Sequence, residues 1–246
     1  MAEQHSGLVN RRQVVAGAAA GGAALAFGTA VVGAAPAAGS SSAVRAQSSA
    51  NLPTPRAETL VVEQGTNNVW DSFNPYIPNG EAYNYGLSQV ARENMFVANF
   101  LTGETTPWLA TKYTYNADFT QITLELNPAV KWSDGQAFTA ADVEFSENLY
   151  LKNPNLNGAS SFIDSVKSVT AKGDTTVVYE LTRAQPRFHY RFIAGIIADG
   201  MRVVPKHIWE KEDVNTYKFN PPVYTGPYTL KQSGADVLLY AWQKNP

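Results

Sequence analysis

Polar and apolar positions alternate along some parts of the chain and recur at helical spacing along others. Residues 59–64 (TLVVEQ) are β-prone and predict a first strand. Residues 112–115 and Gln121–Leu126 alternate polar and apolar side chains, and Asn116-Ala117-Asp118 between them predicts a hairpin. Residues 175–181 and 236–241 predict two more strands. Helical spacing marks residues 81–95, with Tyr85, Val90 and Met95 on one side and Gly86 weakening the run. It also marks residues 187–197, after Pro186, where Phe188, Phe192 and Ile196 share a face. Residues 70–80 (WDSFNPYIPNG) hold two prolines and Asn79-Gly80, and so predict a loop. Its aromatic side chains are either folded under as satellite core or displayed at a pocket. Residues 153–158 (NPNLNG) predict a second loop, and Trp108 in Pro-Trp-Leu-Ala reads as core.

Residues 130–151 (VKWSDGQAFTAADVEFSENLYL) combine several of these signals. Gly135 of the Asp134-Gly135 turn can take the positive φ a tight turn needs, and Asp134 can bond back to the backbone. Thr139 precedes a helical run with Asp142 three residues on, so its hydroxyl can accept the third helical N–H. An acid at Asp142 suits the positive end of the helix. Val143, Phe145, Leu149 and Tyr150 then supply the buried side, while Glu144 and Glu147 fall on the solvated one. The stretch predicts strand, turn and capped helix.

The N-terminus follows a different pattern. Arg11-Arg12 is followed by Gln13-Val14-Val15 and an uncharged Ala/Gly-rich run to Gly39. A charged start, a weakly apolar middle and small residues afterwards predict a secretory signal over residues 1–46, of twin-arginine type. Val44-Arg45-Ala46 offers a cleavage site, and Ala35-Pro36-Ala37 a second. The run is long enough to span a bilayer, but alanine contributes little to insertion, which favours cleavage over anchoring. From Ser40 the composition turns Ser-, Ala- and Pro-rich, and residues 47–56 predict a disordered linker. Residues 57–246 are left for the fold.

Composition narrows the chemistry. Charged residues make up 16% of the 246 and the net charge is -2, with no basic stripe, which argues against a nucleic-acid partner. The cysteine count is 0, which excludes disulfides, thiol catalysis, cysteine metal sites and a lipid-anchor cysteine. His5 falls in the signal, leaving His189 on an aromatic-rich helix, read as packed, and His207 after Pro205-Lys206, read as a turn residue. Two distant histidines do not form a metal shell, and no metal or cofactor is expected. No HExxH, GxSxG or GxxxxGK[ST] pattern occurs. Asp134 and Asp142 are explained by a turn and a cap, so a secreted hydrolase is the weaker reading.

W-S-D-G followed by T-A-A-D-V-E-F-S resembles the signature of family 5 extracellular solute-binding proteins, the peptide, oligosaccharide and nickel receptors of ABC importers. Further blocks resemble the same family in order: Asn74-Pro75; residues 96–110 with Thr-Gly-Glu and Pro-Trp-Leu-Ala; residues 201–210 with a strand, Pro-Lys-His and a short helix; and Thr225-Gly226-Pro227-Tyr228. Tyr224 stands where the family usually has Gly. The resemblance runs from Thr59 to Pro246 and implies an α/β, periplasmic-binding-protein-like type II two-lobed receptor. The chain would cover most of the N-terminal part of the first lobe, as an N-terminal fragment binding weakly by itself. The resemblance further implies a monomeric, non-enzymatic receptor in the periplasm or outside the cell, associated with the envelope and working with ABC permease membrane subunits. Its ligand would be an oligopeptide, or alternatively an oligosaccharide. The implied ligand-binding residues are Trp70, Phe73, Asn74 and Tyr76 in the first loop, Phe162 where the nickel-type member carries a pocket aromatic, and Arg202 near its pocket arginine. Ordinary core for Phe162 and a surface charge for Arg202 remain the alternatives.

Overall fold

The centre of the fold is a four-stranded antiparallel sheet in the order β3-β4-β6-β5, formed by β3 (Ala110–Tyr115), β4 (Gln121–Leu126), β5 (Val166–Lys172) and β6 (Thr176–Leu181). The computed structural model describes residues 71–77, 83–195, 202–234 and 239–245. The expected first strand at 59–64 lies outside them. In β4 the alternation works as predicted: Ile122, Leu124 and Leu126 are buried and their neighbours are not. Tyr115, Ile122, Tyr179 and Val169 stand opposite one another across the four strands and share the covered face. The predicted β3–β4 hairpin turns at Asn116, whose Oδ1 accepts the N–H groups of Thr120 at 2.9 Å and Gln121 at 3.0 Å.

The helix α1 (Ala140–Lys152) packs on β5 and β6. Before it, the expected strand is reduced to a single bridge between Lys131 and Ala137. The turn is as predicted: Gly135 has φ +89°, and Asp134 Oδ1 accepts Gln136 N–H at 3.0 Å. The cap is reciprocal, as predicted: the Thr139 side chain meets the Asp142 N–H, and the Asp142 side chain meets the Thr139 N–H. Thr139 donates its hydroxyl to Asp142 Oδ2 at 3.0 Å, and the same oxygen accepts Thr139 N–H at 2.8 Å. A carboxylate is the stronger acceptor, so the threonine serves it as a donor.

A short helix, α2 (Ala159–Ser165), precedes β5, where sequence reasoning had assigned none. Within the predicted helix at 81–95, Tyr83–Ala91 form a wide helical segment that ends before Arg92, whose N–H reaches back five residues to Leu87 O; residues 81–82 lie outside the described residues. Gly86 explains the departure. Its φ is +104°, and the Trp242 indole sits where a Cβ would be, 2.2 Å away. The helix expected over 187–197 shortens likewise to His189–Ile193, with Phe188 and Phe192 buried; Ile196 lies outside the described residues.

Residues 202–205 run through the interior without sheet pairing and lead into α3 (Lys206–Trp209). The last elements are β7 (Tyr228–Gly234) and β8 (Leu239–Lys244), paired antiparallel, later than the strand expected at 236–241. Gly226 lets the chain meet Ala91: its N–H donates to Ala91 O at 2.8 Å, and a Cβ there would lie 2.3 Å from that oxygen. A small hairpin of β1 (Phe96–Ala98) and β2 (Thr105–Pro107) completes the described part. Trp108 beside it is 50% exposed, contrary to its reading as core, while Leu109 and Ala110 are buried. Phe100 and Leu101 at the hairpin tip are also exposed.

Candidate ligand-binding cluster

Three of the six residues singled out for ligand binding come together. The Tyr76 hydroxyl donates to Arg202 O at 2.7 Å, and the Tyr76 ring meets Tyr150 edge-on at 5.2 Å and Trp209 at 5.3 Å. Phe162 packs on the other side of Tyr150, at 5.4 Å, and against Phe192 at 5.9 Å. Arg202 donates through Nη1 to Asn157 O at 2.9 Å, and Asn157 N–H donates to Tyr76 O at 2.7 Å. The loop before α2, the loop holding Tyr76 and the strand-like residues before α3 are thereby stitched together. All three residues are buried, and Arg202 is not the surface charge that was its alternative reading.

Phe73 and Asn74 are buried too, but face another way. Asn74 Nδ2 donates to Val214 O at 2.8 Å and Tyr217 O at 2.7 Å, and its Oδ1 accepts Tyr76 N–H at 2.9 Å. Every polar group of that amide is engaged with backbone, so Asn74 fixes the loop to residues 214–217. Phe73 meets Tyr240 and Trp242 edge-on at 6.1 and 6.3 Å. Trp70 lies outside the described residues.

Asp142 anchors this arrangement from below. Besides Thr139, its carboxylate accepts Lys206 N–H at 2.9 Å and faces Trp132 Nε1 at 3.4 Å. It therefore joins the Trp-Ser-Asp-Gly turn, the start of α1 and the start of α3. Ser146 adds a second tie, accepting Val204 N–H at 2.9 Å and donating to Asp142 O at 2.7 Å. His207, read as a turn residue, lies in α3 and places Nε2 2.7 Å from Asp134 Oδ2.

Sequence reasoning missed Glu147. It was placed on the solvated face of α1, yet it is 0% exposed. The buried side of α1 is Ala140, Asp142, Val143, Ser146, Glu147 and Tyr150. Phe145 and Leu149, expected inside, are half-buried beside Lys152 and Lys206 along a shallow groove. Positions 143, 147 and 150 carried the signal, because spacings of four and three put them on one face. The bulk of Phe145 and Leu149 concealed it.

Neither carboxyl oxygen of Glu147 has a hydrogen-bond partner among the described residues. Burial pushes its pKa up to about 8, against the opposing pull of the Arg202 guanidinium. Burial likewise lifts Tyr150 to about 12 and Tyr76 well above the usual tyrosine range. The cluster thus brings a guanidinium, a carboxyl whose anionic form burial disfavours, and phenolic hydroxyls together among aromatic rings.

Residues 104–246 match the family model of bacterial extracellular solute-binding proteins, family 5 Middle. Protein XP55 of Streptomyces lividans is 37% identical over 110 residues, covering 44% of this chain and 19% of that protein. The fold matches a mannohexaose-bound periplasmic oligopeptide-binding protein of an oligopeptide ABC transporter from Thermotoga maritima. There the TM-score is 0.60 at 23% identity, over 73% of this chain and 32% of that one. It also matches NikZ of Campylobacter jejuni, solved with Ni(L-His), at TM-score 0.53 and 28% identity, over 68% of this chain and 32% of that one. The chain therefore spans about a third of the length of these solved structures. Its fold is a partial segment of a two-lobed, α/β periplasmic binding protein.

Proposed function

Because the chain belongs to family 5 of the bacterial extracellular solute-binding proteins, we propose that it is part of the substrate-capturing component of an ABC importer, taking an oligopeptide outside the cytoplasm. The match over residues 104–246 carries this reading. The whole receptor closes two lobes on its ligand and presents the closed form to the permease, whose ATPase supplies the energy. The receptor itself is monomeric and performs no chemistry.

The ligand site includes Tyr76, Phe162 and Arg202, with Trp70, Phe73 and Asn74 in the loop that borders it. Convergence of the first three around Tyr150 supports this placement. Aromatic surface supplies binding energy and Arg202 supplies a partner for a carboxylate. Residues 1–46 direct export by the twin-arginine route, and residues 47–56 tether the folded part. An oligosaccharide is the second reading, favoured by the mannohexaose bound to the Thermotoga maritima protein.

Thermal unfolding of the full-length protein tests the proposal, with unmodified tri- to nonapeptides and mannohexaose as probes. A bound peptide at a hundred times its Kd stabilises by about 2.7 kcal/mol and raises Tm. A shift with mannohexaose alone would select the second reading. No shift with any probe, together with hydrolysis of one of them, would replace the receptor by a secreted enzyme.

A further inference from the structure

Asn157 and Gly158 form an Asn-Gly pair where the loop before α2 is tied to the candidate cluster. Asn157 is exposed, and its side-chain amide makes no hydrogen bond among the described residues. Asn116, Asn127 and Asn153, by contrast, engage theirs with neighbouring groups. The Gly158 N–H also lacks an acceptor among the described residues. Gly158, at φ +89°, has no side chain to crowd an approach to or from its nitrogen. The main-chain carbonyl of Asn157 is differently placed: it accepts Arg202 Nη1 at 2.9 Å. That carbonyl is conjugated with the Gly158 nitrogen. A cation on the oxygen draws charge from the nitrogen and stabilises the anion left when its proton departs. An unengaged side-chain amide, an open glycine and an acidified N–H between them are what ring closure onto an asparagine requires.

We propose that Asn157-Gly158 is a self-modification site, at which Arg202 promotes loss of the Asn157 side-chain amide as ammonia. Solvent base takes the Gly158 proton, and the negative charge settles on Asn157 O, where Arg202 holds it. The nitrogen attacks Asn157 Cγ, the Cγ–Nδ2 bond breaks, and Nδ2 leaves as ammonia with a proton from water. A cyclic imide remains. Water then opens it at either carbonyl. The balance is asparagine plus water to an acid plus ammonia, with nothing oxidised or reduced. Opening at Cγ gives aspartate. Opening at the main-chain carbon, the one Arg202 polarises, gives isoaspartate. The oxygen that accepted from Arg202 then belongs to a free carboxylate, so the guanidinium acquires an internal ion-pair partner. The main chain also gains a methylene beside the bond from Asn157 N–H to Tyr76 O. The reaction needs no ligand, so it is separate from what the receptor carries.

Tryptic peptide mapping of the full-length protein, held in mildly alkaline buffer at physiological temperature, gives the test. Cleavage after Lys152 and Lys167 isolates residues 153–167, and Asn79-Gly80 falls in another fragment. The isolated fragment also carries Asn155, which is exposed and equally unengaged among the described residues but is followed by Leu156. It serves as the internal control. Conversion at Asn157, with isoaspartate the main product, is expected to outrun that at Asn155 by more than about tenfold. It should also outrun conversion in a synthetic peptide of residues 153–167, which lacks Arg202. Arg202→Gln should slow the protein's reaction by more than about threefold, and Arg202→Lys, which keeps a cation, should restore part of the rate. Circular dichroism verifies both variants, and the comparison with the peptide stands without them. A native protein that converts no faster than the peptide overturns the promotion by Arg202, as do equal rates in wild type and folded Arg202→Gln. An Asn157 amide that survives while the peptide's is lost overturns the site itself.

Discussion

Glu147 gives the protein a pH dependence opposite to that of most carboxylates. Its pKa lies near 8 in the folded state, above the ordinary 4.5. The stability tied to the neutral acid is therefore fully present below about 4.5 and is lost as the pH rises to about 8, at up to about 1.4 kcal/mol per unit. Wild type should lose Tm between these limits, and Glu147→Gln should lose much less; parallel melting curves across the window would refute this. Asp142 acts as a structural hub, its carboxylate accepting from Thr139 and Lys206. Asp142→Ala removes a cap and a tie to α3 together and should cost about 2–3 kcal/mol by urea denaturation. A loss under about 0.5 kcal/mol would show that the hub is ornamental. Asp142 was legible as a cap from Thr139 three residues before it. Its bond to Lys206 N–H was not, since nothing in the local sequence announces a partner 64 residues away.

Among the elements, those that depend on local pattern were readable and those that depend on a distant neighbour were not. The alternation in β4, the Asn116 turn and the Asp134-Gly135 turn all hold, because each is decided within a few residues. The segment at 83–91 stops short of the expected helix because Gly86 accommodates Trp242, which arrives from the far end of the chain. Gly226 is a similar case, and Gly226→Ala should destabilise strongly, by more than about 2 kcal/mol, since its Cβ would strike the backbone at Ala91. Unchanged melting in that variant would mean that the two segments do not meet. The β1–β2 hairpin makes the converse prediction. Leu101 is 98% exposed, so Leu101→Ser should shift stability by less than about 0.5 kcal/mol. A larger loss would place that tip against a neighbouring surface.

For the whole molecule, the family blocks identified the fold, while the interior of the candidate site needed coordinates. Tyr76, Phe162 and Arg202 were nominated by resemblance and lie 126 residues apart at the extremes, yet one tyrosine, Tyr150, and one loop residue, Asn157, bring them together. Phe73 and Asn74, from the same loop, turn toward residues 214–218 and the last strand instead. The proposed function has this chain contribute the Arg202-centred part of a peptide receptor's site. Equilibrium titration of the full-length protein with its best peptide, comparing wild type and Arg202→Gln, is the decisive experiment. Saturable one-to-one binding that weakens more than about tenfold in a variant with native circular dichroism is the expected result. Equal affinity in the folded variant, or no peptide binding by the wild type, would contradict it.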